Sequence, residues 1–247
     1  MPCTFPLALT FLTVIPWPRL KLAGPKELAQ ALFWFPWVGA LLGGLYAAAA
    51  LSLGSLWPLP VAAALVTALT VVLTRGLHLD GLADTLDGLG GGRDPASRLA
   101  VMKDSRLGAF GAVGLVVVLL LKYALLLALL EKGRFAGLVL FPAVSRWGLV
   151  LLAFLSPYAR PEGGLGRAMI EGVTSRTLTG ATLAALGLSL VLFRMQGLLV
   201  LAAAGLLVLA WSRFFQRTLG GITGDVLGAA NELLEVLALG GLTLGQG

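Results

Sequence analysis

Of 247 residues, one is cysteine, one is histidine and only 12 are Asp or Glu. The lone thiol, Cys3, excludes an intrachain disulfide, and nothing in the chain has the Cys and His spacing of a zinc site. Charge of either sign is scarce, at 12% of residues, against 58% hydrophobic residues and a mean hydropathy of +0.93. So little polar surface cannot cover a water-soluble globule of this size, which places the chain in a lipid bilayer as one polytopic unit, 1–247. Also missing is any basic run with interleaved aromatics, so the net charge of +6 points to a loop bias and not to nucleic acid. No repeat of fixed length emerges and the two halves do not match, which gives an inverted-repeat transporter little support.

What the chain has in quantity is apolar runs. They predict an all-α helical bundle with about seven transmembrane helices, near 33–57, 59–79, 109–131, 134–155, 178–194, 197–213 and 219–244. The stretch FPLALTFLTVIPW, 5–17, is too short to span and is broken by prolines; residues 1–30 read as an interfacial or re-entrant segment. Alternating the loops puts Arg19, Lys21, Lys26, Arg93, Arg98, Lys103, Arg106, Arg160, Arg167, Arg176, Arg213 and Arg217 on one side. Lys132, Arg134 and Arg194 fall on the other. Twelve against three marks the first side as cytoplasmic, with the amino terminus inside.

The scarce acids are not spread evenly. In HLDGLADTLDG, 78–88, Asp80, Asp84 and Asp87 follow a mostly apolar run and sit beside the sole histidine, His78. If the helix of the second span runs on past Leu79, the three fall at i, i+4 and i+7, within about 60° of arc and about 10 Å of axis. Such like charges repel, and a hard divalent cation would relieve them; Mg²⁺, with Mn²⁺ as an alternative, is commonly held by a few carboxylates together with substrate phosphates. The bland alternative is that the acids solvate a helix end. Gly90, Gly91 and Gly92 should end the helix, and Pro95 should open a return helix that brings Lys103, Asp104 and Arg106 back to the same rim, 78–108.

Lys122 and Arg146 sit inside predicted spans, where a lipid-facing charge would cost at least about 2.5 kcal/mol. They either line a substrate cavity or pair with buried acids. The last span carries GDVLGAANELLE, 224–235, whose Asp225 and Glu232 share a face with Asn231 and Glu235 nearby. These acids could help hold a metal or could neutralise Lys122 and Arg146.

Taken together, RGLHLDGLADTLDGL and RLAVMKDSRLGAFG resemble the signature of the cobalamin synthases, the adenosylcobinamide-GDP ribazoletransferases; FLTVIPWP, YARPEGGLG and GDVLGAANELLE resemble further blocks in the same order. The resemblance implies a multi-pass, Mg²⁺-dependent enzyme of the cytoplasmic (inner) membrane of a bacterium or archaeon. Its substrates would be adenosylcobinamide-GDP and α-ribazole or its 5′-phosphate, and its by-product GMP. It leaves a homo-oligomer open. On this reading Asp80, Asp84, Asp87 and Asp104 are the metal set, with Asp84, Asp87, His78 and Asp104 as candidates for catalysis. Arg93, Arg98, Lys103, Arg106, Arg146, Arg160, Asp225 and Glu232 are candidates for holding substrate. Two rivals share some features. DTLDG begins like the D-x-x-D-G motif of the CDP-alcohol phosphatidyltransferases, but Gly91 and Gly92 stand where that motif has Ala and Arg. A divalent-cation channel would use the acids but not the basic rim beside them.

Overall fold

The computed structural model describes residues 4–18, 24–160, 162 and 165–244. Arg19 and Lys21, counted above among the cytoplasmic cations, lie outside them. The described chain is all-α apart from one isolated bridge: α1 (Thr4–Leu12), α2 (Pro25–Ala31), a 3-10 turn (Leu32–Trp34), α3 (Phe35–Leu56), α4 (Leu59–Leu73) and α5 (Leu77–Gly91). Then follow α6 (Pro95–Val101), α7 (Ala109–Glu131), α8 (Phe135–Leu155), α9 (Leu165–Glu171), α10 (Ser175–Leu219) and α11 (Gly224–Thr243). Among these, five helical segments are long and apolar enough to cross a membrane, or up to six if α4 and α5 count as one broken span.

Helix α8 is apolar on every side and lies at the centre, with Leu138, Phe141, Val144 and Leu152 fully enclosed. Helices α3, α10 and α11 surround it. The α3 contact is close because Gly39 and Gly43, one turn apart, lie against the α8 backbone; a Cβ on either would come within 2.4 Å of the Leu138 or Pro142 carbonyl. Outer faces are apolar too, with Val113, Val116 and Leu120 of α7 and Leu183, Leu190 and Leu199 of α10 exposed, as lipid contact requires.

One feature departs from the sequence expectation. The predicted 59–79 span does not continue straight: it ends at Leu73, and α5 sets off at 84° to α4. Arg75 and Gly76 adopt positive φ at the corner, and the freed groups find partners in the amino-terminal segment. Val14 N–H donates to Leu73 O at 2.8 Å and Arg75 donates to Thr10 O at 2.9 Å. Helix α1 is accordingly packed against the bundle through Ala8, Leu9 and Leu12.

Helix α10 is also broken. Arg194 has non-helical φ and ψ of 48° and −129°. Gly197 lies against the Ser189 carbonyl, 2.3 Å from where its Cβ would be, whereas a straight helix would separate residues eight apart by about 12 Å. Trp147 of α8 donates to Thr182 at 3.0 Å and also lies 3.4 Å from a Cβ placed on Gly205. The chain on the two sides of Arg194 therefore folds back on itself.

The charged loops separate to opposite ends. At one end Lys132 donates to Thr243 O at 2.7 Å and Arg134 to Leu242 O at 2.8 Å, so cations close the carboxyl end of α11. At the other end lie α5, α6 and the loop carrying Arg160.

Candidate active site

Helix α5 presents its acids in graded environments: Asp80 is exposed, Asp84 half-buried and Asp87 buried. The α5–α11 crossing brings Asp225 beside them. Gly81 and Gly228 allow it: a Cβ on Gly81 would lie 2.7 Å from Asp225 O, and one on Gly228 would lie 3.2 Å from His78 O. Thr223 caps α11, its Oγ1 accepting from Val226 N at 3.2 Å, which fixes Asp225 in the first turn. Arg160 reaches the site because its strand-like loop pairs with the α10–α11 turn, through Ile222 N to Pro157 O and Ala159 N to Ile222 O, both 2.9 Å. Its guanidinium donates to Asp225 Oδ2 at 2.6 Å. Asp84 feels repulsion from Asp225, Asp80 and Asp87 and attraction from Arg160.

The four-acid metal set read from sequence is not assembled in this geometry. Both Asp87 oxygens accept backbone N–H groups, of Gly108 and Gly111, at 2.8 Å each, so this carboxylate caps the first turn of α7. Asp104 is engaged by Arg106 at 3.0 Å on the exposed rim, and those hydrogen bonds hold its carboxyl down at about 2. Among the described residues no three His, Cys, Asp or Glu side chains lie close enough to hold one ion jointly. The charge balance nonetheless suits a dication. Asp80, Asp84 and Asp225 face one guanidinium, which leaves two negative charges uncompensated, and Mg²⁺ needs only one or two protein carboxylates when substrate phosphates complete its shell.

The other cations are placed as follows. Lys103 pairs with Glu162 at 3.1 Å, and its hydrogen bond keeps the Glu162 carboxyl below the usual range. Arg98 donates to Gly92 O at 3.2 Å and Thr218 O at 3.4 Å, tying α6 to α10. Arg93 is exposed on the same rim.

Arg146 and Glu232, expected at substrate, are instead buried in a polar cluster. Lys122 pairs with Glu232 at 2.8 Å and with Glu235 at 2.5 Å, Arg146 pairs with Glu235, and Asn231 donates to Glu235 at 3.1 Å. All four charged side chains are at most 4% exposed, so the alternative in which they neutralise one another is the one realised. His78 is buried near this cluster, and its Nε2 has no hydrogen-bond partner among the described residues. It also lines a cavity of about 190 Å³ shared with Asp80 and Asp225, whose apolar wall includes Phe11, Phe35 and Met169. That cavity escaped the sequence reading, because its wall is drawn from six separate segments.

Fold and rim together define a polytopic helical membrane protein with a carboxylate and guanidinium site at one end of its bundle. The cobalamin-5-phosphate synthase family model matches residues 4–243. An adenosylcobinamide-GDP ribazoletransferase of Syntrophobacter fumaroxidans is 48% identical over 241 residues, covering 95% of this chain and 96% of that protein. Proteins of the same description from Stutzerimonas stutzeri, 44% identical with 98% of each chain covered, and Chlorobium phaeobacteroides, 42% identical with 93% of each covered, are similar throughout. The chain belongs to the cobalamin-5-phosphate synthase family. No solved structure matches it.

Proposed function

We propose that the protein transfers the adenosylcobinamide phosphate group of adenosylcobinamide-GDP to a ribose hydroxyl of α-ribazole or its 5′-phosphate, releasing GMP. The observation that carries this reading is family membership across nearly the whole chain. It disfavours both rivals, since the phosphatidyltransferase likeness stops at D-x-x-D-G and a channel has no use for the cations of the rim.

In the reaction the ribose oxygen forms a bond to the cobinamide-linked phosphorus, the bond from that phosphorus to the bridging oxygen breaks, and GMP leaves with the electron pair. Catalysis is chiefly positioning and charge neutralisation. Asp80 and Asp84 are the residues we assign to Mg²⁺, with Mn²⁺ as a substitute. Bound there with the diphosphate, the ion would supply Lewis-acid neutralisation of the phosphate oxygens. Arg160 would turn from Asp225 to the phosphates when substrate arrives, which frees Asp225 to accept the proton of the attacking hydroxyl. Lys103, Arg93 and Arg98 are near enough to the rim to add positive charge toward the nucleotide half. Asp87 serves by holding α7, and through it the loop of Lys103 and Asp104, in register with α5.

We further place seven crossings, α3, α4, α7, α8, the two arms of α10, and α11, with the amino terminus and the acids on the cytoplasmic face of the inner membrane. Support comes from the chain reversal at Arg194 and from the bias of basic residues toward the acid-bearing end. The decisive experiment incubates purified protein with adenosylcobinamide-GDP, α-ribazole and Mg²⁺. Stoichiometric GMP and a completed corrinoid are expected; neither product from folded protein would refute the assignment.

A further inference from the structure

The cavity beside the acids combines apolar and polar lining. Its wall includes Phe11, Phe35, Leu149 and Met169, together with exposed Asp80, with Asp225 and with buried His78. We infer that this cavity seats the flat aromatic base of the acceptor nucleoside, with the ribose turned toward Asp80 and Asp225. The inference rests on the transferase reading above and adds to it the position of one substrate.

Size eliminates the corrinoid, since a tetrapyrrole-like macrocycle far exceeds about 190 Å³ and must lie outside. Chemistry disfavours guanine in the apolar part of the cavity. Its edge carries several N–H donors and a carbonyl, and a polar group buried without a partner is costly. With Asp80 and Asp225 facing the ribose, the apolar side chains of Phe11, Phe35, Leu149 and Met169 offer such groups nothing. The benzimidazole of ribazole has a hydrocarbon edge and one unsubstituted ring nitrogen, so its polarity is confined to a single acceptor atom. His78 supplies the matching group: it is 4% exposed, and its Nε2 lacks a partner among the described residues. In the tautomer protonated on Nε2, it would donate to that nitrogen. A lipid acyl chain could fill the same apolar space but would leave the imidazole unpaired. Phe11 and Phe35, with rings 17° from parallel, add flat faces to the wall.

The prediction concerns acceptor choice and not activity alone. With adenosylcobinamide-GDP saturating, kcat/KM is measured for ribazole and for an analogue whose base carries a third fused ring. Met169→Ala enlarges the wall without touching a charged group, and Leu227→Ala provides a second enlargement should the first fold poorly. Either should raise the relative kcat/KM of the bulky acceptor about tenfold, the scale at which an apolar pocket distinguishes one or two methylenes. The KM for adenosylcobinamide-GDP should stay unchanged, and Leu45→Ala, on the lipid-facing side of α3, should leave the preference as it was. If both enlarged variants keep the wild-type acceptor preference while turnover persists, the base binds elsewhere and the transferase reading survives. If the wild type makes no corrinoid product, the transferase reading falls, and the seat for the base falls with it.

Discussion

At the residue scale, Asp84 and Asp87 are three positions apart and do different work. Asp84 is half-buried among Asp80, Asp225 and Arg160, whereas Asp87 spends both oxygens on the amides of Gly108 and Gly111. Replacing each by Asn should therefore separate catalysis from stability. Asp84→Asn removes a charge that we assign to the metal, and losing about 3 kcal/mol of transition-state stabilisation would lower GMP release about a hundredfold or more with little change in the melting curve. Asp87→Asn keeps one acceptor oxygen but leaves a buried amide facing an NH₂ group, a loss of about 1–3 kcal/mol. Its signature is a lower thermal midpoint in detergent, with activity retained in the fraction that stays folded. Comparable melting curves for the two variants would contradict this division. The sequence made the cluster visible through spacing alone. It could not separate the third acid from the others, because the groups that claim Asp87 lie more than twenty residues further on and are backbone amides without a side-chain signature. For Arg146 and Glu232 the cost in a span was legible and mutual neutralisation was among the readings, but which acid meets which cation was not.

At the element scale, the site depends on how closely α5 and α11 cross. Gly81→Ala would set a methyl group 2.7 Å from Asp225 O, and the helices must part to admit it. Overpacking of this kind costs about 1–3 kcal/mol and moves Asp225 away from Asp80 and Asp84. Turnover should fall at least as far as stability, while Gly44→Ala on α3, where nothing lies within 4 Å, should be silent in both assays. Equal effects of the two would mean that the crossing is not what positions the acids. Element boundaries were legible where composition changes sharply: α7 fills 109–131 and α8 occupies 135–155, close to the hydropathy limits. The 84° corner after Leu73 was hidden, since Thr74 and Arg75 are ordinary residues and only Gly76 hints at a break. The corner is set by the amino-terminal segment, whose Thr10 and Val14 supply its hydrogen-bond partners, and so by contacts distant in sequence.

At the scale of the whole molecule, the bundle is locked inside and charged at its ends. Lys122, Arg146, Glu232 and Glu235 form a neutral quartet spanning α7, α8 and α11. Glu235→Gln would leave two buried cations sharing one carboxylate, a loss of about 3–5 kcal/mol that should appear as a large fall in detergent stability. The ends raise the question of sidedness. Substrates bearing a diphosphate and a nucleotide cannot cross a bilayer unaided, so the acid-bearing rim has to face the compartment that supplies them. On the topology proposed above that rim lies inside, because positive residues resist translocation and gather around α5, α6 and the Arg160 loop. After Cys3→Ser, single cysteines at two exposed positions, Arg93→Cys and Lys132→Cys, can be probed with a membrane-impermeant maleimide. Arg93→Cys should react in inside-out vesicles and be protected in right-side-out ones, and Lys132→Cys should show the opposite pattern. Labelling of both from one side would break the count of seven crossings. A full reversal would keep the count but turn the acids away from the cytoplasm, and the reaction would then need its nucleotide substrate delivered from outside the cell.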